Sequence, residues 1–233
     1  MQALWFYPYP CRYNAVVMSD PKSRLQAQVQ ALKFEAIMGV VNQLLAQKGY
    51  DAMTMDEVAE QAGMSKASLY KLFPSKEELA AQAMVRVLDL ALARVDALRR
   101  QEDADPLDCL MQVTRWAMQT KLEGEMPSLP AQNSSLSAAL SGHEPYMERL
   151  LDLSMKLGVW VAQAQQTGRI LAHLPSEFVL YQLYARACDP VLGVMKADGQ
   201  YRQDQILDWM LDVQFRGLCA PAAAQAQSRN RPA

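Results

Sequence analysis

Between Thr54 and Glu78 the chain is punctuated so closely that only very short helices fit. Thr54-Met55-Asp56-Glu57 has the spacing of a capping box, in which hydroxyl and carboxylate each satisfy an orphan N–H of a helix start. The helix it opens runs to Ala62 and breaks at Gly63; Ser65 caps the next, which lasts until Pro74. Ser75-Lys76-Glu77-Glu78 is a second capping box, and it opens a long helix. Helices this short are marginal alone in water, so neighbouring elements must hold them in place. A pair of this kind, joined by a tight turn, is a helix-turn-helix.

The 3.6-residue period sorts the side chains of the pair. Val58, Ala59, Ala62, Met64, Leu69 and Leu72 form the inner seam, with Ala59 and Gly63 leaving room for close approach. Ser65, Lys66, Ala67, Ser68, Tyr70 and Lys71 face outward. They are small, hydroxylic or cationic, as a helix entering a major groove requires, because acids there would be repelled by phosphate. The plain alternative is a helical hairpin in an ordinary bundle, with Lys66 and Lys71 merely solvated.

The totals make any polyanion binding local. The 233 residues carry a formal charge of -2, yet Lys22 to Lys76 holds Lys22, Arg24, Lys33, Lys48, Lys66, Lys71 and Lys76 against five acids. The 51% apolar content suffices for one sizeable core or two smaller ones. No run approaches the roughly 18 uninterrupted apolar residues of a membrane span. Cys11, Cys109, Cys188 and Cys219 lack metal-ligand spacing and read as reduced thiols of a cytoplasmic protein. His143 and His173 stand in no metal motif. No phosphate loop, nucleophile motif or metal cluster is seen, so no catalytic residue, metal or cofactor is expected.

Apolar spacing is helical almost throughout, which predicts an all-α chain. A first helix is expected over Gln26–Gln47, ended at Lys48-Gly49-Tyr50; the long helix after Ser75 should reach about Arg100. Asp105-Pro106 reads as N-cap and first helical position of a helix to about Leu122, followed by a loop-rich link with room for one short helix. Further helices are expected over Pro145–Gln166, Pro175–Lys196 and Arg202–Leu218, the last two separated by the Asp198-Gly199 turn. Residues 1–17 are aromatic-rich and proline-broken without the pattern of a signal peptide, and Met18 begins an ordinary polar start. They read as an upstream-start artefact or an unordered tail. The domains expected are a disordered extension over 1–25, a helix-turn-helix domain over 26–76, a second helical domain over 77–219, and a low-complexity tail over 220–233.

The pieces in KGYDAMTMDEVAEQAGMSKASLYKLFPSKEEL, and their order, resemble the DNA-binding domain of the TetR family of bacterial transcriptional regulators, over about Lys33 to Leu79. The rest of the chain resembles the family only in length and helical pattern. The resemblance implies an N-terminal three-helix DNA-binding domain and a C-terminal helical ligand-binding and dimerisation domain. It implies Thr54, Ser68, Tyr70 and Lys76 as phosphate contacts, with Ser65, Lys66 and Ala67 near base edges and Tyr70 able to touch a base. Lys71 joins them as an outward cation. Leu72 departs from the family, which often has a polar residue there; leucine cannot bond a phosphate.

The expected partners are double-stranded operator DNA, a second copy of the chain through 175–196 and 202–218, and a small-molecule inducer, with no membrane. Met111, Trp116, Met118, Met155, Trp160, Tyr184 and Cys188 are the candidate pocket. Methionines and aromatics suit an adaptable apolar pocket as well as an ordinary core, and the pocket itself comes from the resemblance. A repressor released by an apolar or aromatic ligand is the function implied; the alternatives are a DNA-bound interaction protein of the nucleoid-occlusion type and an activator.

Overall fold

The computed structural model describes residues 21–126 and 135–219, and these form ten helices and no strand, apart from a single bridge between Ile170 and Cys219. They are α1 (Pro21–Ala52), α2 (Met55–Gln61), α3 (Lys66–Leu72), α4 (Lys76–Arg99), α5 (Pro106–Glu123), α6 (Ser135–Ser141), α7 (Glu144–Gln166), α8 (Ser176–Ala187), α9 (Pro190–Asp198) and α10 (Gln203–Leu218). None is long and apolar enough to cross a membrane. The expectations for residues 1–17 and 220–233 lie outside the described residues.

Local chemistry sets most boundaries. Gly49, at φ 77°, breaks the helical path of α1 where the sequence placed its end. Thr54 and Glu57 form the complete capping box of α2. Ser75 caps α4, but only half of the second box forms: Ser75 accepts from the Glu78 N–H, while the Glu78 carboxylate turns to Gln82 and His143. Asp105 caps α5 ahead of Pro106.

Two expectations are corrected. The helix expected over 175–196 is two helices, split at Cys188-Asp189-Pro190. Proline disfavours the α conformation in the residue before it, and Asp189 takes an extended ψ of 119° from which it caps the Val191 N–H. At the other end, residues 21–25, assigned to an unstructured extension, are already helical in α1.

The apolar residues gather into two cores. The first unites Ile37, Val41 and Leu44 of α1, Val58 of α2, Leu69 of α3 and Leu79 to Val85 of α4. Leu136 and Leu140 of α6 and Tyr146 of α7 also belong to it, so the helix-turn-helix unit shares its interior with later elements. The second core is built by α5, α7, α8, α9 and α10 around the second half of α4. Leu88 of α4 packs against both. Fully burying one such leucine is worth about 1.5–3 kcal/mol, so the cores, rather than helix propensity, hold the short helices.

Candidate functional site

The helix α3 buries one residue, Leu69, and leaves the other six exposed. Leu69 and Val58 are wholly buried in the angle between α2 and α3, and Gly63 makes the turn with φ 64°. Ser65, Lys66, Ala67, Ser68, Tyr70 and Lys71 are all exposed, as the periodicity predicts. Leu72 is corrected: expected on the inner seam, it is 41% exposed, because Phe73 takes the buried place beside Leu69.

Polar contacts within the unit set the side chains of this face. The Ser65 hydroxyl accepts from the Ser68 N–H at 3.2 Å and lies 2.8 Å from the Ser68 hydroxyl. Lys66 Nζ lies 2.6 Å from the Asp56 carboxylate of α2, and that hydrogen bond raises the lysine pKa. Thr54 Oγ1 accepts from the Glu57 N–H, and Lys48 bonds the same glutamate, holding its carboxyl below the usual range. Lys76 Nζ donates to the Asp51 carbonyl at 3.2 Å and stands 4.3 Å over the Tyr50 ring. The Tyr50 hydroxyl donates to Glu77 at 2.8 Å, which lowers the Glu77 pKa. Thr54 and Ser65 are the N-caps of α2 and α3, and Lys76 is the first residue of α4; at such helix starts the dipole and N–H groups favour anions.

The interior candidates divide. Met118 and Trp160 are buried in the second core, and Met111, Trp116 and Tyr184 are part-buried against it. Cys188 is the C-cap of α8. Met155 is the exception: it stands 58% exposed on the outer face of α7, because one residue further on the helix turns Lys156 toward Asp96 of α4 and inward Leu157 into the core.

Sequence reasoning missed polar residues beside these. The Ser154 hydroxyl donates to the Leu150 carbonyl at 2.7 Å, so the Tyr184 hydroxyl, 2.8 Å away, donates to Ser154. Burial raises the pKa of Tyr146 and Tyr184 and lowers that of Lys121, all within reach of Cys188 or of one another. Both phenols therefore stay protonated near neutral pH. Chemically, α5, α7 and α8 bring together aromatic and sulfur-bearing side chains with the Tyr184–Ser154 hydroxyl pair.

His143 was also missed. Its Nδ1 accepts from the Tyr146 N–H at 3.2 Å as the cap of α7, and its Nε2 faces the Glu78 carboxylate of α4 at 3.6 Å. Pro145 signalled a helix start two residues on, but histidine is an unusual cap, and nothing local announces its partner 65 positions earlier.

Residues 39–83 match the model of the bacterial regulatory proteins of the tetR family. The HTH-type transcriptional regulator RutR of Escherichia coli (strain K12) is 31% identical over 155 residues, covering 66% of this chain and 63% of that protein. The chain thus matches somewhat under two thirds of that relative's length. Among solved structures, the fatty acid degradation regulator FadR from Bacillus halodurans superposes with a TM-score of 0.61 at 16% identity, covering 80% of this chain and 96% of that one. FadR from Bacillus subtilis, in complex with stearoyl-CoA, does so with a TM-score of 0.58 at 15% identity, covering 79% and 99%. At such identities these two likenesses are of fold. With residues 39–83 matched by the family model, the helix-turn-helix unit is a DNA-binding domain of the TetR family of bacterial regulatory proteins, and the chain as a whole has the fold of these regulators.

Proposed function

We propose that the chain is a transcriptional repressor that binds double-stranded operator DNA as a two-fold homodimer and is released by a small apolar or aromatic ligand. The observation that carries it is α3: a helix held by one buried leucine, with five small, polar, cationic or aromatic side chains and Leu72 offered outward and no acid among its residues. Ser65, Lys66 and Ala67 approach base edges in this reading, while Thr54, Ser68, Tyr70, Lys71 and Lys76 meet the backbone. The Asp56 carboxylate holds the Lys66 ammonium until phosphate or a base edge replaces it. A place in the cytoplasm, with the DNA, goes with this role.

The homodimer is proposed through α8 and α10. Phe178, Tyr181 and Ala185 share one exposed face of α8, and Trp209, Val213 and Gly217 one of α10, while Val191 and Val194 of α9 are exposed as well. Exposed aromatics at helical spacing suit a closed two-fold interface. Met111, Trp116, Met118, Trp160, Tyr184 and Cys188 are the proposed surroundings of the ligand, with Lys121 and the Tyr184–Ser154 pair as its polar contacts.

Genome-wide occupancy with matched transcription tests the reading. Binding at one or a few promoters, with higher transcription when the chain is deleted, is expected. Many dispersed sites without transcriptional effect, or lower transcription on deletion, would replace repression with a DNA-bound platform or with activation.

A further inference from the structure

The first three to four turns of α1 have no place in either core. From Lys22 to Ala36 every residue is exposed or only part-buried, and the first buried residue is Ile37. The stretch from Pro21 to Lys33 is therefore a helical arm of about 20 Å standing beyond the first core. Its base is fixed beside the reading head: Phe34 packs on Phe73, the C-cap of α3, with ring centroids 6.2 Å apart, and Glu35 pairs with Arg86 of α4. The arm thus leaves the domain at the end of the helix proposed to enter the major groove.

Its chemistry is one-sided. Between Asp20 and Glu35 there is no acid, while Lys22, Arg24 and Lys33 are cationic, in a chain whose total charge is negative. At 3.6 residues per turn, Lys22, Gln26, Gln30 and Lys33 fall along one stripe. All four side chains donate hydrogen bonds, and none is a carboxylate. A stripe of donors tracking a helix suits phosphate oxygens spaced along a DNA backbone.

We infer that this arm is a second DNA-binding surface, which grips the phosphate backbone flanking the site read by α3. It rests on the DNA-binding reading above and extends the footprint by up to the arm's length of about 20 Å at each subunit. The arm reads no sequence; it adds affinity and fixes orientation. A neighbouring stripe of Leu25, Val29 and Leu32, all exposed, is the rival surface, fit for a second copy of the chain.

The test uses the full chain and random-sequence duplexes of two lengths, one ending beneath the recognition helices and one reaching about 20 Å further on both sides. Lys22→Gln, Arg24→Gln and Lys33→Gln are combined in one protein; glutamine keeps helix propensity, which circular dichroism verifies. The parent should bind the longer duplex more tightly than the shorter, and the triple variant should lose that gain. Its salt dependence on the longer duplex should fall by about two units per subunit, for Lys22 and Lys33 on the stripe. If the triple variant matches the parent on both duplexes while Lys76→Ala is weakened, the arm does not touch DNA, and the DNA reading stands without it. If the parent binds neither duplex, the DNA reading falls and the arm with it. If instead Leu25→Ser, Val29→Ser and Leu32→Ser together dissociate the protein in sedimentation while the cation variant binds normally, the arm joins protein copies and the inference is overturned.

Discussion

The DNA-reading unit and the C-terminal domain are built from the same material, capped helices around leucine-rich cores, yet they present opposite surfaces. Around α3 the exposed side chains are serines, lysines and an alanine, with Tyr70 and Leu72 the large apolar ones. On α8 and α10 the exposed side chains include Phe178, Tyr181, Trp209 and Val213. Water tolerates the first surface indefinitely; the second loses free energy until something apolar covers it. Burial inside a chain does not tell the two apart, since both regions have their own buried core. The difference lies in what is left outside, and it is the basis for proposing a polyanion for one and a protein partner for the other.

The strongest way to break this contrast is to give the C-terminal face the character of the other. Tyr181→Glu with Trp209→Glu should cost about 3–5 kcal/mol at a covered interface and leave monomers in sedimentation. Dimers as stable as the parent's would place the interface elsewhere. Leu183, although on α8, is a poor probe: it is buried in the subunit's own core, so a charge there unfolds the chain whatever its oligomeric state. Next in size, two leucines of α3 separate inside from outside. Leu69→Ala should destabilise by about 2–5 kcal/mol in thermal melts, whereas Leu72→Ala should stay within about 0.5 kcal/mol. Equal effects would mean that α3 does not sit as described. Thr54→Ala removes the cap of α2 and should cost about 1 kcal/mol. If DNA affinity then falls only in proportion to the lost stability, Thr54 is a cap and not a phosphate contact.

The smallest effect concerns pH. The Tyr50 hydroxyl, followed by backbone and Ser75 hydrogen bonds, depresses the Glu77 pKa below its ordinary 4.5. A depressed carboxylate contributes stability that is complete above the unfolded value and is lost as pH falls through the folded value. Parent and Glu77→Gln should therefore differ in stability at about pH 6, and the gap should close as pH falls below 4.5 and through the lower folded value. A gap that persists undiminished to low pH would assign the effect to packing rather than ionisation.

Legibility in the sequence followed the range of the interactions involved. The α2–α3 unit could be read almost residue by residue, because capping boxes, Gly63 and Pro74 act over four positions or fewer. Even there Leu72 was misplaced, since a seven-residue helix gives too few turns to tell an inner seam from its edge. The split at Asp189 was visible in Pro190 but was overridden by the apolar run around it. The Tyr184–Ser154 and His143–Glu78 pairings were illegible, because they join residues 30 and 65 positions apart through packing that no local pattern encodes. Met155 shows the converse: its residue type suits a pocket, and only the phase of α7 turns it outward.

Leu88 sits where the two interiors meet on α4, a continuous rod of about 36 Å whose first half lines one interior and whose second half lines the other. Neither half of α4 can fray without stripping an entire wall from a core. The two units are therefore expected to melt together, as a single calorimetric transition, although either has enough apolar residues to suggest independence. Heat stability conferred on the C-terminal half by any bound molecule would then be felt equally by the helices that face DNA. An added charge at Leu88 is the change most apt to divide one melting curve into two.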